Sequence, residues 1–296
     1  MSAKKKFLLV VNPISGDRDK TEMIAQIEAF ALHLNIDMVR YETSGRNDYY
    51  KIKEAYDFHQ PERIIIAGGD GTIKLVGEAL EEEDVIFGII PAGSANGLSI
   101  DLNLPTTFEE NLVVAFQNDY MEIDMVEING KKSLHLSDLG LNALLVKNYE
   151  NGETRGKLGY ALQVINTLTE SEAPFEATIQ VNGEQLTYTA KMIVIANSQK
   201  YGTGVTINPN GKINDGKFEI VVLKNLDVFA IGKIVAGNIL SNTEDVAIIS
   251  TEKAIITTTK KINFQIDGEY FGEVDRLDIS ILPAQMKVAV PKLRFH

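Results

Sequence analysis

Apolar positions in the first third of the chain switch between two periods. Phe7 to Val11 form a short unbroken apolar run, the pattern of a strand buried on both faces. After Asn12-Pro13-Ile14-Ser15-Gly16, the residues Met23, Ile24, Ile27, Phe30, Ala31 and Leu34 recur at helical spacing, which predicts an amphipathic helix. Ile36 to Tyr41 and Asp48 to Phe58 repeat the strand–helix unit, and Ile64 to Ala67 with Ile73 to Leu80 repeat it again. Val85 to Ile90 reads as a fourth strand, ended by Pro91-Ala92-Gly93. Strands that alternate with helices need right-handed crossovers, and hence a parallel sheet.

Past Asp124 the period becomes that of strands. Ile123–Ile128 and Ser133–Leu136 flank Asn129-Gly130, and Phe175–Val181 and Gln185–Ala196 flank Asn182-Gly183, two hairpin signals. Phe218–Leu223, Ala247–Thr258, Ile262–Ile266 and Leu277–Leu282 are further strand-like runs, with helices expected near Leu158–Leu168 and Val228–Leu240. The expected fold class is therefore α/β plus all-β. An α/β domain spans 1–125, and a β-rich domain spans 126–287.

Composition narrows the chemistry. The 296 residues hold no cysteine, which removes disulfides, thiolate catalysis and zinc–sulfur sites, and the four histidines are scattered without metal-ligand spacing. A net charge of −12 argues against sequence-independent nucleic-acid binding. No run approaches the ~20 apolar residues of a membrane helix. The charged start lacks a signal-peptide pattern, so a cytoplasmic protein is expected.

Three loops rich in Gly, Ser and Asn fall at strand ends of the first domain: Asn12–Gly16, Gly68-Gly69-Asp70-Gly71-Thr72, and Pro91–Gly97. Bare backbone N–H groups in such loops suit phosphate, and open parallel sheets bind ligands at the carboxyl ends of their strands. Each loop alone also reads as an ordinary turn, with Asp70 as a helix N-cap. The Walker and three-glycine dinucleotide patterns are absent. In the second half, Asp267-Gly268-Glu269 reads either as a tight hairpin or as an acid–base site.

With these residues in order, the chain resembles the diacylglycerol kinase catalytic-domain family, which includes bacterial lipid kinases and sphingosine kinases. The matching residues are Asn12-Pro13 with Ser15-Gly16, Gly68–Thr72, Pro91, Gly93, Ser94, Asn96, Asp124, Gly156–Tyr160, Gly202, Gly204, Pro209, Asp215, Gly216 and Asp267-Gly268-Glu269. The resemblance implies a β-sandwich second domain, an active site in the interdomain cleft, and a chain end (288–296) that returns to the first domain. It implies ATP bound by Asn12, Pro13, Ser15, Gly16 and Thr43, by Gly68, Gly69, Asp70, Gly71 and Thr72, and by Gly93, Ser94 and Asn96. Magnesium falls to Asp70, Asp124 and Asp215. Asp267 is the candidate base, with Glu269 supporting it. The implied partners are ATP, a lipid acceptor met transiently at the membrane surface, and a second copy of the chain as a homodimer.

Three departures from the family pattern stand out. Ile73-Lys74-Leu75 replaces a hydrophobe followed by Asn-Glu; Asn96-Gly97 replaces Asn-Asp; and Asp138-Leu139-Gly140-Leu141-Asn142-Ala143 replaces Gly-x-Gly-x-Asp-Ala. They leave open a kinase of a soluble acceptor, akin to NAD kinase, and a non-catalytic nucleotide-binding regulator.

Overall fold

The computed structural model describes residues 4–17, 19–94, 96–140, 143, 173–200, 206–224 and 244–292. The helices expected near Leu158–Leu168 and Val228–Leu240, the segment Gly156–Tyr160, and Asn142, Gly202 and Gly204 lie outside the described residues. The chain divides into two units: Met1–Ile123 with Ala284–His296, and Asp124–Pro283.

In the first unit, β1 (Lys6–Val11), β2 (Asp37–Glu42), β3 (Arg63–Gly68) and β4 (Ile86–Pro91) form a parallel sheet in the order β2-β1-β3-β4. Phe7, Leu9 and Val11 point to one face, where they meet Ile27 and Ala31 of α1 (Thr21–His33) and Leu112, Ala115 and Phe116 of α5 (Phe108–Gln117). Leu8, Val10, Ile64 and Ile66 point the other way and are just as buried. Residues buried on both faces explain why these strands read as continuous apolar runs. Helix α2 (Asp48–His59) packs on β1 and on α3 (Asp70–Ala79). At the end of the chain, Lys287 and Val288 of the long strand β14 (Glu269–Ala289) pair in parallel with Ile86 and Phe87 of β4.

The strand order reverses its winding at one point. From β1 the chain moves to β2 on one side, then returns to place β3 on the other side of β1. The crevice for a ligand in such sheets lies where the winding reverses, beyond the carboxyl ends of the strands. Here that point is between β1 and β3.

The second unit is antiparallel and forms the β-sandwich. Its strands are the first part of β14 together with β5 (Tyr120–Ile128), β6 (Lys131–Ser133), β7 (Leu136–Gly140), β8 (Phe175–Val181), β9 (Glu184–Ala190), β10 (Met192–Ala196), β11 (Phe218–Leu223), β12 (Val246–Thr251) and β13 (Lys253–Ile266). They run in the order β12-β11-β10-β7-β13-β14, with β8 and β9 continuing from β13, and β5 and β6 from β14. Val126, Leu139, Ile179, Ile193, Ile220, Phe264 and Leu277 are among the core residues between the layers.

Two apolar runs that read as single strands are each two strands. Gln185–Ala196 breaks at Lys191, where the chain leaves β8 as partner and joins β7 and β11. Ala247–Thr258 breaks at Glu252, where the Thr251 hydroxyl donates to Lys253 O at 2.9 Å. Hydrophobic period gives no sign of a change of partner, because both halves remain strand. Helix α5 was not anticipated from the pattern, and α3 starts at Asp70, ahead of the expected Ile73.

Candidate functional site

The three loops of the first unit meet. The Asn12 amide, just past β1, donates to Thr72 Oγ1 in the first turn of α3 at 3.2 Å, and its Oδ1 accepts from the Ile14 N–H at 3.2 Å. The Ser15 hydroxyl reaches both Asn12 O at 3.2 Å and Ala92 O at 3.0 Å, tying the first loop to the one after β4. The loops after β3 and β4 touch backbone to backbone. A Cβ on Gly93 would lie 2.5 Å from Gly69 Cα, and one on Gly69 would lie 3.1 Å from Gly93 Cα. Glycine is required at Gly93 by this approach, since real Cβ contacts are never that short.

Asn96 is used within its own loop. Its Oδ1 accepts from Gly93 N–H at 2.8 Å while its Nδ2 donates to Gly93 O at 2.9 Å, clamping a turn that the left-handed backbone of Asn96 closes. Asp70 does not cap its own helix, whose N-cap is Gly69. Instead its carboxylate accepts from Gly97 N–H at 2.7 Å and Leu98 N–H at 3.1 Å, the first donors of α4 (Gly97–Asp101). The N-terminus of α3 thus lies among the three loops, with the exposed Gly71 and Ser94 beside it.

Two groups at this edge carry signals that were not singled out from the sequence. Lys20 is 4% exposed, and its ammonium donates to Ser15 O, bringing a cation to the first loop. Asp48, the first residue of α2, accepts from the Tyr41 hydroxyl at 2.5 Å, the Ser44 N–H at 2.9 Å and the Gly45 N–H at 2.6 Å. It thereby fixes the loop that begins at Thr43, whose own N–H donates to Val11 O at 2.8 Å. Burial pushes the Asp48 carboxyl up, but these hydrogen bonds outweigh it and hold it below the usual carboxylate range. Burial, and then the bond to Asp48, push the Tyr41 hydroxyl well above its ordinary value.

In the second unit, Asp267 and Gly268 form a two-residue turn with φ of 50° and 86° between Ile266 of β13 and Glu269 of β14. This matches the tight hairpin reading, but Asp267 is not simply solvated. Its Oδ1 accepts from the Ser133 hydroxyl at 3.0 Å and the His135 N–H at 2.9 Å, and its Oδ2 from the Leu134 N–H at 2.9 Å. Glu269 is exposed. Asp124, 4% exposed, accepts from Gly216 N–H at 2.8 Å through Oδ2, and the adjacent Asp215 accepts from Lys217 N–H at 3.1 Å. The fold thus places Asp124 and Asp215 beside one loop.

Among the described residues, no group of three or more His, Asp or Glu side chains is arranged to hold a metal ion. The donors suit a hard cation that takes one or two carboxylates and completes its shell with phosphate oxygens and water, as magnesium does, rather than one held in an all-protein cage.

Known proteins match along nearly the whole chain. Residues 6–128 match the diacylglycerol kinase catalytic domain, and residues 138–290 match the YegS C-terminal NAD kinase beta sandwich-like domain. The lipid kinase YegS of Escherichia coli K12 is 25% identical over 96% of this chain and 95% of its own. A probable lipid kinase YegS-like protein of Pectobacterium atrosepticum shows the same identity and coverage. The crystal structure of a diacylglycerol kinase from Bacillus anthracis superposes with a TM-score of 0.73 over 99% of both chains at 19% identity, a likeness of fold.

Proposed function

The chain belongs to the kinase family that joins a diacylglycerol kinase catalytic domain to a YegS-type β-sandwich, and on that premise we propose that it transfers the γ-phosphoryl group of ATP to the hydroxyl of diacylglycerol or a related lipid alcohol. The observation that carries this reading is the meeting of the loops after β1, β3 and β4 at the reversal point of the sheet.

The roles follow from the donors. Backbone N–H groups of Gly69 to Gly71, with Ser94, receive the phosphates. Asn12, Pro13, Ser15 and Gly16 form the adjoining wall, and Thr43 stands at the end of β2. Asn96 and Gly93 keep the third loop closed. Magnesium, if bound with the nucleotide, would supply charge neutralisation on the phosphate oxygens; Asp70 is the carboxylate beside the phosphate loops, and Asp124 with Asp215 are the candidates of the second unit.

The acidic turn divides its labour. Asp267 already accepts three hydrogen bonds, so we assign it the role of anchor. Glu269 is assigned the proton: its carboxylate takes the hydrogen of the lipid hydroxyl as that oxygen bonds to the γ-phosphorus. The bond from phosphorus to the β–γ bridging oxygen breaks, and ADP leaves with the electron pair.

The test is incubation with γ-labelled ATP, magnesium and a panel of lipid alcohols in mixed micelles, with NAD and sugar alcohols in parallel. Label on a lipid is expected. Label on a soluble acceptor alone, or on none, overturns the lipid assignment.

A further inference from the structure

The last part of strand β13, Ile262–Ile266, is buried on both faces, yet one of them is polar. Ile262, Phe264 and Ile266 enter the sandwich core, while Asn263 and Gln265 at the alternate positions are 2% and 1% exposed. An amide buried in a sheet must have partners on both ends or lose its hydration uncompensated. The partners of Gln265 lead in a specific direction. Directly opposite in register on β7 stands Asp138, which is 0% exposed, and Gln265 Nε2 donates to Asp138 Oδ2 at 2.5 Å. The other end of the amide, Oε1, accepts the Gly268 N–H at 2.6 Å.

Gly268 is the second residue of the acidic turn. The ladder pairs that flank the turn are Gln265 with Tyr270 and Ile266 with Glu269, so the Gly268 N–H lies outside the ladder. Its neighbour is held as firmly: the Asp267 N–H donates to Leu136 O at 3.0 Å, and the Asp267 carboxylate takes the donors of residues 133–135. Asp267 is thus fixed from outside the hairpin, Gly268 by a side chain of its own strand that is in turn held by β7, and Glu269 is the next residue along.

The acid at Asp138 matters for direction as well as for contact. The contacts at its two ends set the amide in one orientation, with Nε2 toward Asp138 Oδ2 and Oε1 toward the Gly268 N–H. A flipped amide would set oxygen against carboxylate and NH₂ against N–H.

We propose that Asp138 and Gln265 are positioning residues that fix the Gly268 amide and so set the direction in which Glu269 leaves the turn. This inference rests on the reading of that turn as the site of proton acceptance. Neither residue touches substrate; they act through the turn.

A charge exchange tests it. Gln265→Glu alone sets two carboxylates against each other in a buried site. It should lower kcat at least about tenfold, the scale of a small misplacement of a reacting group, with the KM for ATP unchanged. In the double variant Asp138→Asn/Gln265→Glu, the new amide donates to the new carboxylate, which still accepts the Gly268 N–H. Its kcat should return to within about threefold of wild type, well inside the loss from misplacement. Exchange of the Gly268 amide, followed by NMR, reads the anchor without any turnover: slow in the wild type and the double variant, fast in Gln265→Glu and in Gln265→Met. A fast-exchanging Gly268 amide in the wild type overturns the proposal. So does a wild type that labels lipid while the single variants keep its kcat, or a double variant that folds with the wild-type melting temperature yet stays as slow as Gln265→Glu. A wild type that labels no acceptor overturns the kinase reading and the positioning role together.

Discussion

At the scale of single residues, the structure separates groups engaged by several hydrogen bonds from groups exposed to solvent. Asp267 and Glu269 are two positions apart in one motif, yet the first is engaged by three donors and the second faces solvent. Glu269→Gln should therefore lower kcat by about 10²-fold or more, the usual range for loss of a general base, while ATP binding by calorimetry stays at the wild-type value. Asp267→Ala leaves the donors of residues 133–135 without an acceptor, so it should cost stability, about 1–3 kcal/mol by denaturant unfolding, as well as activity. Asp48 gives a pH signature. Its folded carboxyl titrates below its unfolded value, so it contributes stability above about pH 4 that disappears as pH falls through the folded value. The wild type should lose stability over that acid window by more than Asp48→Asn does, as read by melting temperature against pH. Equal pH dependence in the two proteins would remove the loop-fixing role given to Asp48.

At the scale of elements, what matters is how closely loops approach. Gly93→Ala inserts a methyl group 2.5 Å from the Gly69 backbone, which forces the loops after β3 and β4 apart. ATP affinity should fall markedly, by calorimetric titration, while the chain stays folded. An unchanged affinity would mean that the nucleotide does not use this junction. The first-unit strands and the hairpins at Asn129-Gly130 and Asn182-Gly183 were legible in the sequence because each rests on a local signal: an unbroken apolar run, or a dipeptide suited to positive φ. The breaks at Lys191 and Glu252 were not, because a strand that changes partner keeps its own period. The three phosphate loops were legible as candidates by composition, but their contacts, Asn12 with Thr72 and Ser15 with Ala92, join residues 60 and 77 positions apart. The roles of Asp48, Gln265 and Asp138 were hidden for the same reason, although a Gln within the apolar run Ile262–Ile266 marks a buried polar group that needs a partner.

At the scale of the whole molecule, the chain divides into a parallel-sheet unit that carries the three glycine-rich loops and a sandwich that carries the acidic turn. Among the described residues no helix is long and apolar enough to cross a membrane, and the net charge is −12. An anionic lipid surface should therefore repel the protein at low salt, and screening becomes effective when the Debye length falls to about 10 Å near 0.1 M. Turnover on vesicles rich in anionic lipid should rise as salt is raised through that range, whereas a steep fall would reveal a basic docking face. The account as a whole depends on the glycine-lined crevice holding the ATP that is consumed. The most direct measurement is label transfer from γ-labelled ATP to diacylglycerol by the wild type and by Gly93→Ala, at the same protein concentration. The wild type should label the lipid and the variant should lose most of that label. Equal labelling by both proteins, or no labelled lipid from the wild type, would contradict the account.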